Sequence, residues 1–375
     1  MTNATSPLTI GIDARKLRDF GIGRYVVGLL RGFAALDTGD RFVVFAPDSA
    51  REHDVWRDLP ADRFRRVRCD AGLYSLAEVF AFTGVGPRHG IEVLHFPHYV
   101  RAAAPGCAVA VTIHDAIHLD FAPNPVALAY AHFMMRWSIR TANPLLTVSD
   151  AARDDLVRRF GARAADAFVT PNGVDATFHP HDHGAIRAFR AARGLAAPFV
   201  ALPASHRPHK NLRGGAGAFR ASAPPGWELV VPARDAAAAE RLHEFQDASR
   251  PFRVLERVTD HDLSLLYASA EFVLAPSLAE GFGLVGLEAL ASGGVVLATP
   301  IPPQREVLAD AAAFASSTST ADLADALRAL SLDSERRARL RALGPPRAAR
   351  FDWRRTAERT LEAYRHAVVG TRRRS

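Results

Sequence analysis

Residues 276–288 read PSLAEGFGLVGLE, and their types and spacing suit a definite chemistry. Two carboxylates, Glu280 and Glu288, stand with seven residues between them, around the glycines Gly281 and Gly283. Just upstream, EFVLA (271–275) is an apolar run of strand length; just downstream, LVGLEALAS has a helical pattern. A strand that runs through a glycine-containing loop into a helix suits phosphate. The glycines let the backbone approach the ligand, and the helix N-terminus offers free N–H groups at a positive dipole end. A carboxylate cannot attract phosphate, but it accepts hydrogen bonds from hydroxyls, as on a sugar or ribose. Together these features predict a ligand that is both phosphorylated and polyhydroxylated. The same residues also suit an ordinary strand-to-helix loop, with Glu280 solvated and Glu288 on a helix face.

Other candidates follow apolar runs, where open parallel sheets bind their ligands. After AVAVTI (108–113) come His114 and Asp115. A histidine there can donate to a developing charge or hold a sugar hydroxyl, and Asp115 can orient it or cap the next helix. HRPHKNL (206–212) carries Lys210. Of the 47 basic residues only Lys16 and Lys210 are lysines. A retained lysine marks a place for a compact point charge, which directs attention to Lys210. Gly21 and Gly23 lie in DFGIGRYVVGLL, before the first long helical stretch. The spacing to Gly28 is wrong for the G-x-G-x-x-G fingerprint, and the loop does not directly follow the strand. A nicotinamide dehydrogenase is therefore not expected.

The elements that must position these residues alternate. LTIGID (8–13), RFVVFAP (41–47), VLHFP (93–97), AVAVTI (108–113) and LLTVS (145–149) read as strands. GRYVVGLLRGFAAL (23–36) and residues 125–140 read as helices. The pattern breaks around FVTPNGVDATFHP, which places a linker near 175–195. It restarts with PFVALPA (198–204), WELVVPA (227–233), FRVLERV (252–258), EFVLAPS (271–277) and VVLATP (295–300). Such alternation predicts doubly wound parallel sheets in two α/β domains. The expected domains are 1–180 and 192–345, and the last stretch, WRRTAERTLEAYRHAVV, is an amphipathic helix. Two patterns are decoys. Asp260-His261-Asp262 has metal-motif spacing, but Thr259 or Asp260 is placed to cap a helix. His179, His181 and His183, with Asp182, fall in the expected linker.

Composition bounds the class. The chain has 375 residues, 48% hydrophobic and 23% charged, enough for two domains with a sizeable core each. Two cysteines, Cys69 and Cys107, make neither a metal cluster nor a disulfide scaffold. The start, MTNATSPLTIGID, lacks a basic segment followed by an apolar core, and no apolar run nears the roughly 20 residues that span a bilayer. The expected location is cytoplasmic, with peripheral contact at the inner membrane face. A net charge of +7 comes without a zinc knuckle, an aromatic ribonucleoprotein motif or a basic run beyond TRRRS. Phosphorylated substrates or an anionic membrane surface therefore fit better than nucleic acid.

EGFGLVGLE, in the frame P-S-x-x-E-G-F-G, resembles the E-x7-E signature of retaining glycosyltransferases of family 4, which have the GT-B fold. The resemblance implies that Glu280 contacts the transferred sugar and Glu288 the ribose of the nucleotide. It places the loop of Gly281, Phe282 and Gly283 on the donor, the backbone N–H groups of the last two facing its diphosphate. GIGRY (21–25) is similar to the family's opening, which puts Gly21 and Gly23 over the donor diphosphate and the acceptor site. VTIHDAIHLDF (111–121) is similar to its V-T-x-H-D segment, which gives His114 a catalytic role. PHKN (208–211) is similar to its P-x-K-N segment, with Lys210 on the diphosphate. Many relatives carry an arginine six residues before this lysine; here that position is Ala204, and Arg207 is the substitute on offer. PNGVD (171–175) resembles a segment at the domain junction and is read as structural. Val285 and Val295 stand where the family commonly has proline.

The resemblance runs from GIGRY to the terminal helix. It implies two Rossmann-like domains facing a cleft, the first completed by a helix over 351–370 that crosses back to it. YSLAEVF, VLHFPHYV and TIHDAIHL most resemble the bacterial branch acting in polysaccharide or O-antigen assembly. The implied reaction moves a hexose, mannose as the subclass expected, from a GDP- or UDP-linked sugar to a glycan or polyprenyl-linked acceptor. Neither a cofactor nor a catalytic metal is expected. A nucleotide-sugar 2-epimerase of the same fold and a non-catalytic GT-B scaffold subunit are the alternatives. A pyridoxal-dependent phosphorylase would need a Schiff-base lysine, and Lys210 sits in a phosphate motif.

Overall fold

A computed structural model describes residues 6–72, 81–203, 207–233, 235–243 and 252–372. The chain divides into two compact units, 1–173 with 352–375, and 174–351.

The first unit is built on seven parallel strands: β1 Thr9–Asp13, β2 Arg41–Ala46, β3 Phe64–Arg68, β4 Val93–Phe96, β5 Ala108–Ile113, β6 Leu145–Thr147 and β7 Phe168–Val169. Their order is β3-β2-β1-β4-β5-β6-β7, so the winding reverses between β1 and β4. The central strands are apolar on both faces because helices cover both; all six residues of β5 are buried. Phe45, Leu94, Phe96, Val111 and Ile113 belong to one core cluster. Helix α1 spans Phe20–Ala34, α2 Pro125–Thr141 and α3 Asp150–Phe160. Asn124 caps α2 by accepting from the Ala127 N–H, and Ser149 caps α3 by accepting from that of Ala152.

The C-terminal helix, Trp353–Arg372, packs within the first unit, although the second precedes it in sequence. Thr356 Oγ1 donates to the Pro171 carbonyl at 2.6 Å, and Arg365 meets the fully buried Asp40 at 2.8 Å. Glycines on α1 make the approach possible. A Cβ at Gly28 would lie 2.1 Å from the Trp353 ring, and one at Gly32 2.3 Å from its carbonyl oxygen. This packing is what Gly28 serves.

The second unit carries six parallel strands: β8 Phe199–Ala201, β9 Glu228–Pro232, β10 Phe252–Leu255, β11 Phe272–Ala275, β12 Val296–Ala298 and β13 Ala313–Phe314. They are ordered β10-β9-β8-β11-β12-β13, with the reversal between β8 and β11. Val200, Leu229, Phe272, Leu274 and Leu297 lie in its core. Helices α4 His183–Ala192, α5 Leu212–Ser222, α6 Asp260–Ser269, α7 Leu284–Ala291 and α8 Pro302–Leu308 follow in chain order. Thus α4 lies within the stretch expected as linker.

Three strands are missing from the sequence reading: β3, β7 and β13. All are edge strands. β7 and β13 have two residues each, and β3 reads FRRVR, so an apolar run does not mark them. Among the described residues, no helix is long and apolar enough to cross a membrane. YSLAEVF, Ala204 and His206 lie outside the described residues.

Candidate active site

The switch point of the second unit gathers the residues of the EGFG and HKN segments. After β8 the chain makes a single 3-10 turn, Pro208–Lys210, and Asn211 then caps α5 from the left-handed region, φ 51°. After β11, residues 276–283 lead into α7. The two loops are tied together: Leu278 N–H donates to the His209 carbonyl at 2.7 Å, and Asn211 Nδ2 to that of Pro276 at 3.1 Å. Thr299, beyond β12, donates to the Ser277 carbonyl at 2.5 Å.

This bracing brings Lys210 and Glu280 into contact. The Lys210 ammonium donates to both carboxylate oxygens, at 2.7 and 2.9 Å. Ser277 Oγ donates to one of them at 2.7 Å. Both charged side chains are largely withdrawn from water, the lysine 23% and the glutamate 11% exposed. Sequence reasoning placed them on the same ligand; the structure adds that each is the other's ion-pair partner.

Gly283 stands at φ +96°, a conformation that favours glycine, and opens α7 without a capping side chain or an acidic residue in the first turn. Lys210, Ser277, Glu280, Gly283, Val285 and Gln304 are among the residues lining one small pocket, whose cavity volume is about 10 Å³. Val285 thus faces that space, whereas Val295 is wholly buried. Glu288, 4% exposed, sits one turn and more along α7 and is not part of this lining. Phe282 is buried edge-on against Phe351, ring centroids 5.6 Å apart. Arg207 is exposed at the start of the 3-10 turn. Gln304 escaped the sequence reading; glutamine on a short helix gives no signal.

His114, Gly21 and Gly23 belong to the first unit. His114 follows β5, and its Nε2 donates to the Pro97 carbonyl at 3.1 Å. A carbonyl only accepts, so this bond fixes the proton on Nε2 and leaves Nδ1 as the acceptor of a neutral ring. Burial lowers the His114 pKa and Lys16 adds to it, against the opposing charge of Asp115 and the Pro97 bond. A neutral ring protonated on Nε2 can accept a hydrogen bond at Nδ1 and cannot donate one there. Asp115 accepts from the Ile117 N–H at 3.0 Å and so braces the next turn.

Tyr25, from the GIGRY segment, packs edge-on to His114 at 4.7 Å. It continues a buried chain in which Tyr25 Oη meets Thr112 Oγ1 at 3.1 Å, Thr112 meets His95 Nε2 at 2.8 Å, and His95 Nδ1 meets Tyr364 Oη at 2.7 Å. Burial pushes the Tyr25 hydroxyl up to about 12 and brings His95 down to about 3. The chain is uncharged, and it ties the C-terminal helix to the His114 neighbourhood.

The two glycines of GIGRY differ. A Cβ at Gly23 would lie 2.5 Å from the Leu17 carbonyl oxygen, so this glycine answers a local contact. One at Gly21 would meet nothing within 4 Å. Lys16, the second lysine, is buried just after β1, its ammonium 3.4 Å from Asp19. Burial lowers the pKa of both His98 and His114, and the charge of Lys16 adds to it. Lysine scarcity applies to Lys16 as much as to Lys210, at the same place in the other sheet.

Both decoys resolve locally. Thr259 caps α6 in a capping box with Asp262, and Asp182 caps α4. Among the described residues, no three of His, Cys, Asp and Glu group closely enough to hold a metal ion. Asn172 is buried, and a Cβ at Gly173 would lie 2.2 Å from the Trp353 nitrogen, which accords with the structural reading of PNGVD.

Residues 21–178 match the model Glycosyltransferase Family 4, and residues 208–345 the model Glycosyl transferases group 1. The chain belongs to the family 4 glycosyltransferases. This family 4 chain is 32% identical over 265 residues to D-inositol 3-phosphate glycosyltransferase from Nocardia farcinica, covering 66% of the chain and 57% of that protein. It is 29% identical over 291 residues to MMP alpha-(1->4)-mannosyltransferase from Mycolicibacterium hassiacum, 72% of the chain and 68% of the relative. The chain thus spans well under two thirds of the inositol-phosphate relative's length. Among solved structures, sucrose-phosphate synthase from Thermosynechococcus elongatus superposes with TM-score 0.77 at 18% identity, over 97% of this chain and 100% of that one. Anabaena HepE in complex with UDP-glucose superposes with TM-score 0.74 at 16% identity, over 95% and 98%. The fold is therefore GT-B.

Proposed function

We propose that this chain is a retaining glycosyltransferase that moves a hexose from a nucleotide-diphosphate sugar to a glycan or polyprenyl-linked acceptor. The observation that carries this reading is the Lys210–Glu280 pair beside the open start of α7, at the switch point of the second sheet. Lys210, with the Phe282 and Gly283 N–H groups, takes the diphosphate. Glu280 takes a hydroxyl of the transferred sugar and Glu288 the ribose. As the bond from the anomeric carbon to the phosphate oxygen breaks, its electron pair leaves with the phosphate. The acceptor hydroxyl forms the new bond on the same face and passes its proton to the departing phosphate oxygen. Cationic and N–H groups held ready at that oxygen stabilise the transition state more than the ground state. His114 Nδ1 accepts from a substrate hydroxyl. These groups replace a metal in the proposal, so EDTA leaves turnover intact; loss with EDTA and recovery with Mn²⁺ would overturn that part.

Mannose from a GDP-linked donor is the specific form proposed. Two mannosyltransferases among the relatives support it, that of M. hassiacum and an O-antigen chain mannosyltransferase B from Escherichia coli. The inositol-phosphate relatives favour a phosphorylated acceptor as the second reading. For a lipid-linked acceptor, α2 offers a surface: Val126 and Phe133 are 79% and 65% exposed, and with Arg140 they recur at seven-residue spacing on one stripe.

Thermal stabilisation by GDP-, UDP-, ADP- and dTDP-sugars and their free diphosphates tests the proposal. It predicts a shift with one nucleotide series, lost in Glu288→Ala. No shift in any series would favour the scaffold alternative. Conversion of free donor without an acceptor would favour the epimerase.

A further inference from the structure

Gln304 belongs to the pocket, and among the described residues none satisfies its Oε1. It stands on α8, only 2% exposed, and its Oε1 has no hydrogen-bond partner. Buried side-chain acceptors rarely go without a donor. Its stem lies beside the ligand-facing loop, since a Cβ on Gly283 would sit 3.6 Å from Gln304 Cγ. The side-chain donors around it bond other acceptors, and the open N–H groups at the start of α7 do not bond Oε1. Lys210 gives two bonds to Glu280, Ser277 gives its hydroxyl proton to the same carboxylate, and Thr299 bonds the Ser277 carbonyl. Pro302 and Pro303, which open α8, have no N–H to offer.

We infer that Gln304 reads a hydroxyl of the transferred sugar, its Oε1 accepting the hydroxyl proton inside the pocket that holds Lys210 and Glu280. This rests on the donor-site reading above and extends it to a residue that sets sugar specificity. The partner must be a donor, which a hydroxyl is and a phosphate oxygen is not. Glu280, from the loop after β11, and Gln304, from α8, then present two acceptors, so the sugar's hydroxyl pattern is read from two elements.

The test compares binding of a nucleoside diphosphate with that of the matching nucleotide sugar, by calorimetry, in wild type, Gln304→Met and Gln304→Glu. Gln304→Met keeps bulk and removes the orphaned acceptor, so the unliganded protein melts no lower than wild type. The expected result is free diphosphate affinity within twofold of wild type in this variant and nucleotide-sugar affinity lower by about tenfold, the worth of one hydrogen bond. Gln304→Glu, which keeps an acceptor at the same reach, retains the preference for the sugar-bearing ligand. Equal losses for both ligands would reassign the amide to the phosphate through a flipped orientation and overturn the inference. Unchanged affinity for both would make the orphan a packing feature and overturn it too. If wild type binds neither ligand in any base series, the donor-site reading itself falls, and this inference with it.

Discussion

Replacing Lys210 by methionine keeps most of the side chain's length and removes its charge. Two hydrogen bonds to Glu280, at 2.7 and 2.9 Å, go with it, while the Ser277 bond to the carboxylate survives. An exposed ion pair contributes about 0.2–1 kcal/mol, and breaking a buried one costs about 3–5 kcal/mol. The exposures here, 23% and 11%, and the surviving bond place the loss at about 1–2 kcal/mol. For a domain the size of the second unit, each kcal/mol lowers Tm by about 2–4 °C, so a drop of about 2–8 °C is expected. Activity falls far more. A preorganised group at the leaving phosphate is worth about 3–4 kcal/mol, or roughly 10²–10³ in kcat. The assay is release of the nucleoside diphosphate in the presence of acceptor, at a temperature well below either melting point. The two magnitudes separate two roles for one lysine. A variant that melts as expected and keeps kcat/KM within threefold of wild type would show that Lys210 only props Glu280, and would refute the phosphate assignment.

Four further outcomes follow from the geometry. Gly28→Ala puts a methyl 2.1 Å from Trp353 and is expected to cost about 1–3 kcal/mol in denaturant melts, whereas Gly21→Ala meets open space, leaves stability unchanged and lowers turnover; equal stability of the two would contradict the packing argument. Tyr364→Phe leaves the buried His95 Nδ1 without its partner and is expected to cost about 1–3 kcal/mol, read as an earlier unfolding transition of the first unit. Burial lowers the His95 pKa from 6.5 to about 3, so the unfolded chain takes up a proton below pH 6.5 that the folded chain refuses; the stability is full above that pH and falls with acid, by about 1.4 kcal/mol at pH 5.5 for this one group. His98 and His114, also lowered by burial, add slope of the same sign, so urea melts that stay flat from pH 7 to 5.5, or a slope no shallower in His95→Gln, would show otherwise. Phe133→Asp with Val126→Asp should abolish salt-sensitive cofloatation with anionic liposomes, and no flotation of wild type at low salt would remove the membrane contact.

What the residues of the chain determined by themselves is local. Apolar runs of strand length marked ten of the thirteen described strands, because buried parallel strands are hydrophobic on both faces. The edge strand FRRVR escaped, since three of its five residues are arginines and its pairing partner lies elsewhere in the chain. The spacing of Glu280, Gly283 and Glu288 was legible as a loop feeding a helix, and the scarcity of lysine directed attention to Lys210. Sequence spacing carries no information on which side chains meet across loops. Only the tertiary structure decided that Lys210 and Glu280, seventy residues apart, share an ion pair, and that Gln304 reaches the same pocket from α8. It also decided that Gly28 and Gly32 serve the Trp353 contact and that Pro97 sets the proton of His114. Strand order brings the ends of β8 and β11 together at the point where the winding reverses. That adjacency arises from long-range parallel pairing, which no local pattern in the sequence can express.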